Sequence, residues 1–110
     1  MNCSCRPIFK IENDIAEERK NQNKKWGEQN HSPIEWIPIL MEEVGEASKE
    51  ALQYHFIQKD PVYRVGFGIE QAQSKDMLSR YREELVQCAA VCVSMIESLE
   101  RNELKQPELF

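Results

Sequence analysis

Apolar residues recur every three or four positions in three long segments of the chain, and this spacing predicts three amphipathic helices. The first helix is predicted over Ile8–Lys24, the second from Ser32 to about Phe56, and the third over Asp76–Arg101. No segment alternates apolar and polar residues over the length of a strand. The pattern therefore predicts an all-α protein, and its 110 residues fit one domain over 1–110.

The segments between and beyond these helices lack periodicity and contain turn residues. Asn21–His31 is polar and contains one glycine, so we expect a connector there. Ile57–Lys75 contains an Asp-Pro step and two glycines, and a connection of this length is typical of a functional lid or a flexible segment. Residues 1–7 and 102–110 are expected to be tails.

The start of the second helix has its own signals. Ser32 can cap the helix, Pro33 suits the first helical position, and Glu35 completes a capping box. Pro38 lacks a backbone donor. We therefore expect Pro38 to bend the first turns or to delay the regular helix to about Ile37.

Composition narrows the class of protein. The net charge of −5 argues against a broad nucleic-acid-binding surface, although a bound metal ion would reverse the sign locally. No apolar run approaches the roughly 18 residues that indicate a membrane span. The N-terminal stretch becomes polar too early for a signal peptide. We expect a soluble cytoplasmic protein that binds neither nucleic acid nor a membrane.

The four cysteines form two close pairs, Cys3 with Cys5 and Cys88 with Cys92. A zinc site would need both pairs to converge, and neither spacing matches a zinc knuckle. Cys88 and Cys92 lie one helical turn apart in an apolar segment, where cysteine acts as a small hydrophobic residue. We favour buried thiols in the third helix over zinc binding, and without a secretory signal we expect no disulfide.

The most unusual segment is Met41–Glu50, whose sequence is MEEVGEASKE. Glu43, Glu46 and Glu50 lie three and four residues apart and so share one helical face, which Glu42 flanks. Like charges at this spacing destabilise a helix unless they are neutralised. One interpretation is a solvated acidic face; the other is a cation site.

A second polar group in the third helix favours the cation. Glu84 and Gln87 are three residues apart on one helical face. Facing helices of a bundle can build a metal site in this way. Hard divalent cations such as Mg²⁺ take oxygen ligands and retain waters and substrate phosphates.

These residues resemble a known family. EEVGE at Glu42–Glu46 and REEL at Arg82–Leu85 are similar to the motifs of the MazG-like all-α nucleoside triphosphate pyrophosphohydrolases, which have E-E-x-x-E on one helix and E-x-x-D on the facing helix. KKWGEQNHSPIEWIPILMEEVGEA also resembles the segment before that signature in phage and bacterial members. The resemblance covers roughly residues 15–100. It implies a bundle of about four helices that assembles as a homodimer or homotetramer.

The resemblance also implies an activity and residue roles. It implies Mg²⁺-dependent hydrolysis of a (deoxy)nucleoside triphosphate to the monophosphate and pyrophosphate. Glu43, Glu46 and Glu84 would bind the metal, and Glu42 would orient a ligand or polarise the attacking water. The family has aspartate where this chain has Gln87. An amide oxygen can ligate Mg²⁺ without adding charge, so the alternative is a bundle of the same fold that binds a nucleotide or a protein without cleaving.

Substrate contacts are expected mainly in the first connector. Trp26 is a candidate for stacking on a base. Candidates for hydrogen bonds to the base or a phosphate are Gln29, Asn30 and His31, and candidates for phosphate contacts are Lys24, Lys25, Lys59 and Arg64. The alternatives are that Trp26 covers the core, that His31 caps a helix or lies at the core edge, and that Lys59 is solvated.

Overall fold

The computed structural model describes residues 5–59 and 74–104. Helix α1 spans Cys5–Trp26, α2 spans Pro33–Lys59 and α3 spans Ser74–Asn102. Within these residues there is no strand. The all-α prediction is confirmed, and the described part contains three helices where about four were expected.

The structure corrects the end of the first helix and the length of the first connector. α1 continues to Trp26, so the segment from Asn21 to Trp26 is helical and the connector is reduced to residues 27–32. α1 continues through these polar residues because lysine, glutamine and asparagine need no apolar partner on an exposed face. Gly27 ends it: φ is +73°, and its N–H donates to the Asn23 carbonyl at 2.7 Å.

The capping box at the start of α2 is confirmed. The Ser32 N–H donates to Glu35 Oε1 at 2.8 Å, and the Glu35 N–H donates to Ser32 Oγ at 3.4 Å. These bonds hold the pKa of Glu35 below its usual value. Pro38 lies inside α2, which begins at Pro33, so the predicted delay to Ile37 is wrong.

The remaining helix ends also lie slightly outside the predicted bounds. α2 extends to Lys59, and α3 begins at Ser74 and ends at Asn102. At the N-terminus the helix already includes residues 5–7, so the predicted tail over residues 1–7 is too long. The greater part of the predicted lid, with Arg64, lies outside the described residues.

α3 is the central helix, because it packs extensively against α2 and also against α1. The buried apolar residues are Trp36, Ala47, Ile57, Met77, Ala90 and Val91. Ion pairs also join α1 to α3, including Asp14 with Arg82 at 2.8 Å and Arg19 with Glu97 at 2.6 Å. This packing places the acidic faces of α2 and α3 opposite each other.

Several apolar residues of α3 remain at the surface. Ile96 is half exposed, and Cys92 and Leu99 are exposed beside it. Cys88 and Cys92 are free thiols, and only Cys88 is partly buried, so the prediction that both are buried is wrong for Cys92. Cys3 lies outside the described residues. No described helix is long and apolar enough to cross a membrane.

Candidate metal and nucleotide site

Three carboxylates meet where α2 packs against α3. Glu43 and Glu46 project from successive turns of α2, and Glu84 comes from α3. One oxygen from each of the three lies within 4.8 Å of the others. We call Glu43, Glu46 and Glu84 the acidic cluster. The spacing on α2 predicted the first two as neighbours, and helix packing adds the third.

Burial and mutual repulsion make the acidic cluster unusual. Glu43 Oε2 and Glu84 Oε2 are buried, and neither has a hydrogen-bond partner among the described residues. Burial, followed by the negative charge of Glu46, raises the pKa of Glu84 to about 7. Burial, followed by Glu46 and Glu42, also raises the pKa of Glu43. Among the described residues, no ion pair joins a basic side chain to the cluster.

This donor set fits a hard divalent cation. Ligands of an octahedral Mg²⁺ ion, with bonds of about 2.1 Å, lie about 3.0 Å apart when adjacent and about 4.2 Å apart when opposite. One oxygen of each cluster carboxylate lies within 4.8 Å of the others, so a small adjustment of the side chains would let all three bind one ion. Three carboxylates would also leave positions for waters or substrate oxygens, as Mg²⁺ sites commonly do.

Glu50, the third carboxylate of the predicted helical face, has a different partner. Glu50 Oε1 lies 3.5 Å from Arg80 Nε and forms an ion pair with it. Glu50 is therefore partly neutralised by its own chain, although its charge still contributes to the raised pKa of Glu84. The structure separates Glu50 from the acidic cluster, which the helical spacing alone could not do.

Gln87, the fourth predicted ligand, lies one turn after Glu84 and lines a groove of about 340 Å³ between α1 and α3. Glu18 of α1 lines the same groove, and its charge contributes to the raised pKa of Glu43. Glu18 was not among the residues predicted from the sequence. A signal was present, because Ile11 and Ile15 form an apolar stripe that continues at Glu18.

A second cavity lies next to the acidic cluster. We call it the inter-helix cavity; its volume is about 160 Å³. Glu42 and Glu43 line it, so it is continuous with the cluster. The other lining residues are Gln22, Trp26, Gln29, Trp36, Ile39, Val91 and Ser94. Trp26 and Gln29 were predicted as substrate contacts, whereas Gln22 and Trp36 were not.

Two predicted substrate residues are engaged with their own chain. The His31 ring packs edge-to-face against Trp36 with ring centroids 4.8 Å apart, and the His31 carbonyl accepts from Ser98 Oγ at 3.5 Å. Lys25 Nζ lies 4.8 Å from the centre of the Trp26 ring. The position of His31 agrees with the alternative of a histidine at the core edge. Lys24 is exposed in the last turn of α1.

The connector after α1 is held by the end of α3. Arg101 donates to Asn30 Oδ1 at 3.1 and 2.9 Å and to the Gln29 carbonyl at 3.1 Å. Asn102 donates to the same Asn30 oxygen at 2.9 Å. We call these four residues the Arg101 network. It occupies the Asn30 side chain, which was predicted as a base contact, and fixes the backbone next to the inter-helix cavity.

No protein-family model, curated protein or solved structure matches the chain. The function must therefore be argued from the site. The site consists of a cluster of carboxylates suited to a hard cation and a neighbouring, partly apolar cavity lined by two indole rings.

Proposed function

We propose that the chain is a cytoplasmic, MazG-like, Mg²⁺-dependent hydrolase that converts a (deoxy)nucleoside triphosphate to the monophosphate and pyrophosphate. The observation that carries the proposal is the acidic cluster, whose buried oxygens of Glu43 and Glu84 have no partner among the described residues. An anionic triphosphate would not approach this surface without a cation. A divalent cation held by these carboxylates would bind the phosphate oxygens directly.

Each carboxylate has a role in this proposal. Glu43, Glu46 and Glu84 would hold Mg²⁺. The ion would neutralise phosphate charge and lower the pKa of a bound water. Glu42 is exposed at the edge of the inter-helix cavity. A carboxylate in that position can orient the attacking water and accept its proton. Water oxygen bonds to the α-phosphorus, and the bond from that phosphorus to the bridging oxygen breaks, releasing pyrophosphate.

The proposed substrate-binding residues lie around the inter-helix cavity and at the end of α1. Trp26 and Gln29 line the inter-helix cavity, beside the acidic cluster, and are proposed to contact the nucleoside. Lys24 and Lys25 are proposed to contact phosphates from the end of α1, and His31 to support the cavity through Trp36. Gln87 is proposed as a neutral ligand, one turn beyond Glu84.

A second copy of the chain is proposed to cover the exposed apolar face of α3. Pro33, Cys92, Met95, Ile96 and Leu99 line an apolar groove of about 340 Å³ on that side. We propose a homodimer or homotetramer on this face, because apolar surface of this kind is removed from water by association. Light scattering of wild type and Ile96→Glu tests it: the variant is expected to be smaller, and an unchanged mass would contradict the proposed interface.

The experiment for the activity is pyrophosphate release from a panel of ribo- and deoxyribonucleoside triphosphates, with and without Mg²⁺. Wild type is expected to produce pyrophosphate and monophosphate only with Mg²⁺, and Glu46→Ala is expected to abolish it. Glu100→Ala, an exposed glutamate at the far end of α3, is the matched control. Release of inorganic phosphate instead, or activity independent of Glu46, would contradict the proposal.

Gln87 supports a second candidate function, a non-catalytic nucleotide-binding bundle. Replacing a charged ligand by an amide removes one negative charge from the site. Calorimetric binding of a triphosphate by folded wild-type protein that releases no pyrophosphate would favour this candidate. Turnover of any triphosphate in the panel would exclude it.

A further inference from the structure

A half-exposed arginine lies beyond the acidic cluster, at the opposite end from the inter-helix cavity. Ser98 of α3 contacts His31, just before α2, whereas Arg80 of α3 contacts Glu50, late in α2, so the two helices run in opposite directions. The first turns of α2 line the inter-helix cavity. Glu50 lies one turn, about 6 Å along the axis, after Glu46 of the cluster. The cavity, the cluster and the pair of Arg80 with Glu50 therefore follow one another between α2 and α3.

The contact between Arg80 and Glu50 is a loose one. Its closest atoms are Arg80 Nε and Glu50 Oε1 at 3.5 Å, which is longer than the usual hydrogen bond of about 2.9 Å. Glu50 Oε1 is buried and accepts no hydrogen bond from the described residues. The Arg80 side chain is 52% exposed, and ion pairs at such positions contribute little to stability. Arg80 can therefore exchange Glu50 for a stronger anionic partner without disturbing the fold.

A metal ion alone would leave this site negatively charged. One Mg²⁺ ion carries two positive charges, whereas the acidic cluster has three carboxylates, which are ionised when they act as ligands. Glu50 adds a negative charge that is close enough to contribute to the raised pKa of Glu84. A polyphosphate is itself an anion with several charges, so its binding requires a positive group beside the metal. Phosphoryl-transfer sites commonly combine a metal ion with arginine or lysine for this purpose.

We propose that Arg80 binds the terminal phosphates of the substrate, which hydrolysis releases as pyrophosphate, and that Glu50 holds the guanidinium beside the cluster until they arrive. The inference rests on the proposed function. The nucleoside is proposed to lie at the inter-helix cavity, so the phosphates beyond the metal extend towards Arg80 on the other side of the cluster. Arginine suits this role because its planar fork binds two phosphate oxygens at once.

The test is binding of inorganic pyrophosphate in Mg²⁺, measured by calorimetry on wild type, Arg80→Gln and Arg80→Lys. Arg80→Gln is expected to weaken binding about tenfold, because it removes charge-assisted hydrogen bonds. Arg80→Lys keeps the charge and loses the fork, so its affinity should be intermediate. A nucleoside monophosphate lacks the terminal phosphates, and its affinity should change by less than about twofold in either variant at physiological ionic strength.

Arg82→Gln is the matched control, because it makes the same change of charge two residues further along α3. Arg82 is exposed to a similar extent, 46%, and it pairs with Asp14 on the side of α3 that faces α1. This variant should bind pyrophosphate within about twofold of wild type. Equal losses of affinity in Arg80→Gln and Arg82→Gln would overturn the inference, since net charge alone would then explain them.

Three other results would also contradict the inference. One is an unchanged affinity of Arg80→Gln for pyrophosphate, and another is an equal weakening of pyrophosphate and monophosphate binding. The third needs wild type alone and serves if Arg80→Gln does not fold. Wild type in Mg²⁺ should bind pyrophosphate more tightly than orthophosphate, which has no second phosphate to reach Arg80 from the metal, so equal affinities for the two anions would contradict the contact.

The failure of this inference is distinguishable from the failure of the proposed function, because binding of pyrophosphate does not depend on turnover. Binding that depends on Arg80, in protein that releases no pyrophosphate from any triphosphate, would contradict hydrolysis and leave the phosphate contact standing. Release of pyrophosphate by protein whose affinity for pyrophosphate does not depend on Arg80 would do the reverse.

Discussion

The acidic cluster and the Arg101 network both join α3 to the rest of the chain, and they differ in how their polar groups are satisfied. In the Arg101 network, Arg101 and Asn102 together give Asn30 Oδ1 three donors. In the acidic cluster, buried oxygens of Glu43 and Glu84 have no donor among the described residues. Within the described residues, the first region is paired by its own chain, and the second keeps two buried oxygens without a donor.

This difference supports the proposal that the acidic cluster is the functional region. A polar network whose members are all paired stabilises one structure. Unpaired carboxylates that repel one another destabilise the fold unless a cation is bound. We therefore expect substitutions in the Arg101 network to affect stability, and substitutions in the acidic cluster to affect binding and turnover.

The largest expected effect is on turnover. Glu84→Gln removes one proposed metal ligand with little change of shape, and the rate of pyrophosphate release should fall on the order of a thousandfold. Glu83→Gln is the matched control, because Glu83 is the preceding residue and is exposed. Steady-state kinetics at saturating Mg²⁺ measures both. Equal rates of pyrophosphate release for the two variants would contradict a specific role for the acidic cluster in turnover.

The next effect concerns stability with and without metal. At a Mg²⁺ concentration of a hundred times the dissociation constant, wild type should gain about 2.7 kcal/mol of unfolding free energy. Glu43→Gln should lose this gain and, without metal, should be at least as stable as wild type, because it removes repulsion. Thermal melts with Mg²⁺ and with a chelator measure this. A metal-free variant that is less stable would indicate an ordinary structural glutamate.

A smaller effect is expected in the Arg101 network. Arg101→Ala should lower the free energy of unfolding by about 1–2 kcal/mol, because it removes charge-assisted hydrogen bonds to Asn30 and Gln29. Urea unfolding measures it. Lys20→Ala is the control, since its exposed ion pair with Glu17 should contribute less than about 0.5 kcal/mol. An equal loss of unfolding free energy in both variants would mean that the Arg101 network contributes no more than an exposed ion pair.

The smallest effect is a dependence of stability on pH without metal. The pKa of Glu84 is raised from 4.5 to about 7 in the folded protein, so between these values the folded state keeps a proton that the unfolded state releases. Stability should therefore fall as pH rises from 4.5 to 7, by about 1 kcal/mol after allowing for solvent screening. Melts of wild type and Glu84→Gln check this, and the fall should be smaller in Glu84→Gln, in which the raised pKa of Glu43 still contributes.

The helices and two of the three residues of the acidic cluster were predictable from the sequence because they depend on local spacing. The apolar period predicted α1, α2 and α3, and the spacing of Glu43 and Glu46 placed them on one face. The capping box was also read correctly, since all its atoms lie within four residues. The end of α1 was missed because polar residues without periodicity are compatible with both helix and loop.

The remaining features depend on how the helices pack. Spacing could not reveal that Arg80 neutralises Glu50 or that Arg101 occupies Asn30, since those partners come from another helix. The burial of Trp36 and the lack of an acceptor for its N–H among the described residues are also visible only in the packed structure. The resemblance to a known family implied that Glu84 binds a metal together with Glu43 and Glu46. The packed helices bring these three carboxylates together.

The most direct test of the cation site is binding of Mn²⁺, a hard oxygen-preferring probe for Mg²⁺ that electron paramagnetic resonance detects when free. Wild type should bind Mn²⁺ and so reduce the signal of free Mn²⁺. Excess Mg²⁺ should displace the bound Mn²⁺ and restore that signal. Glu46→Gln, at an exposed position, should keep its fold and lower the Mn²⁺ affinity at least about tenfold. Absence of binding by folded wild type, or equal binding by the variant, would contradict the account.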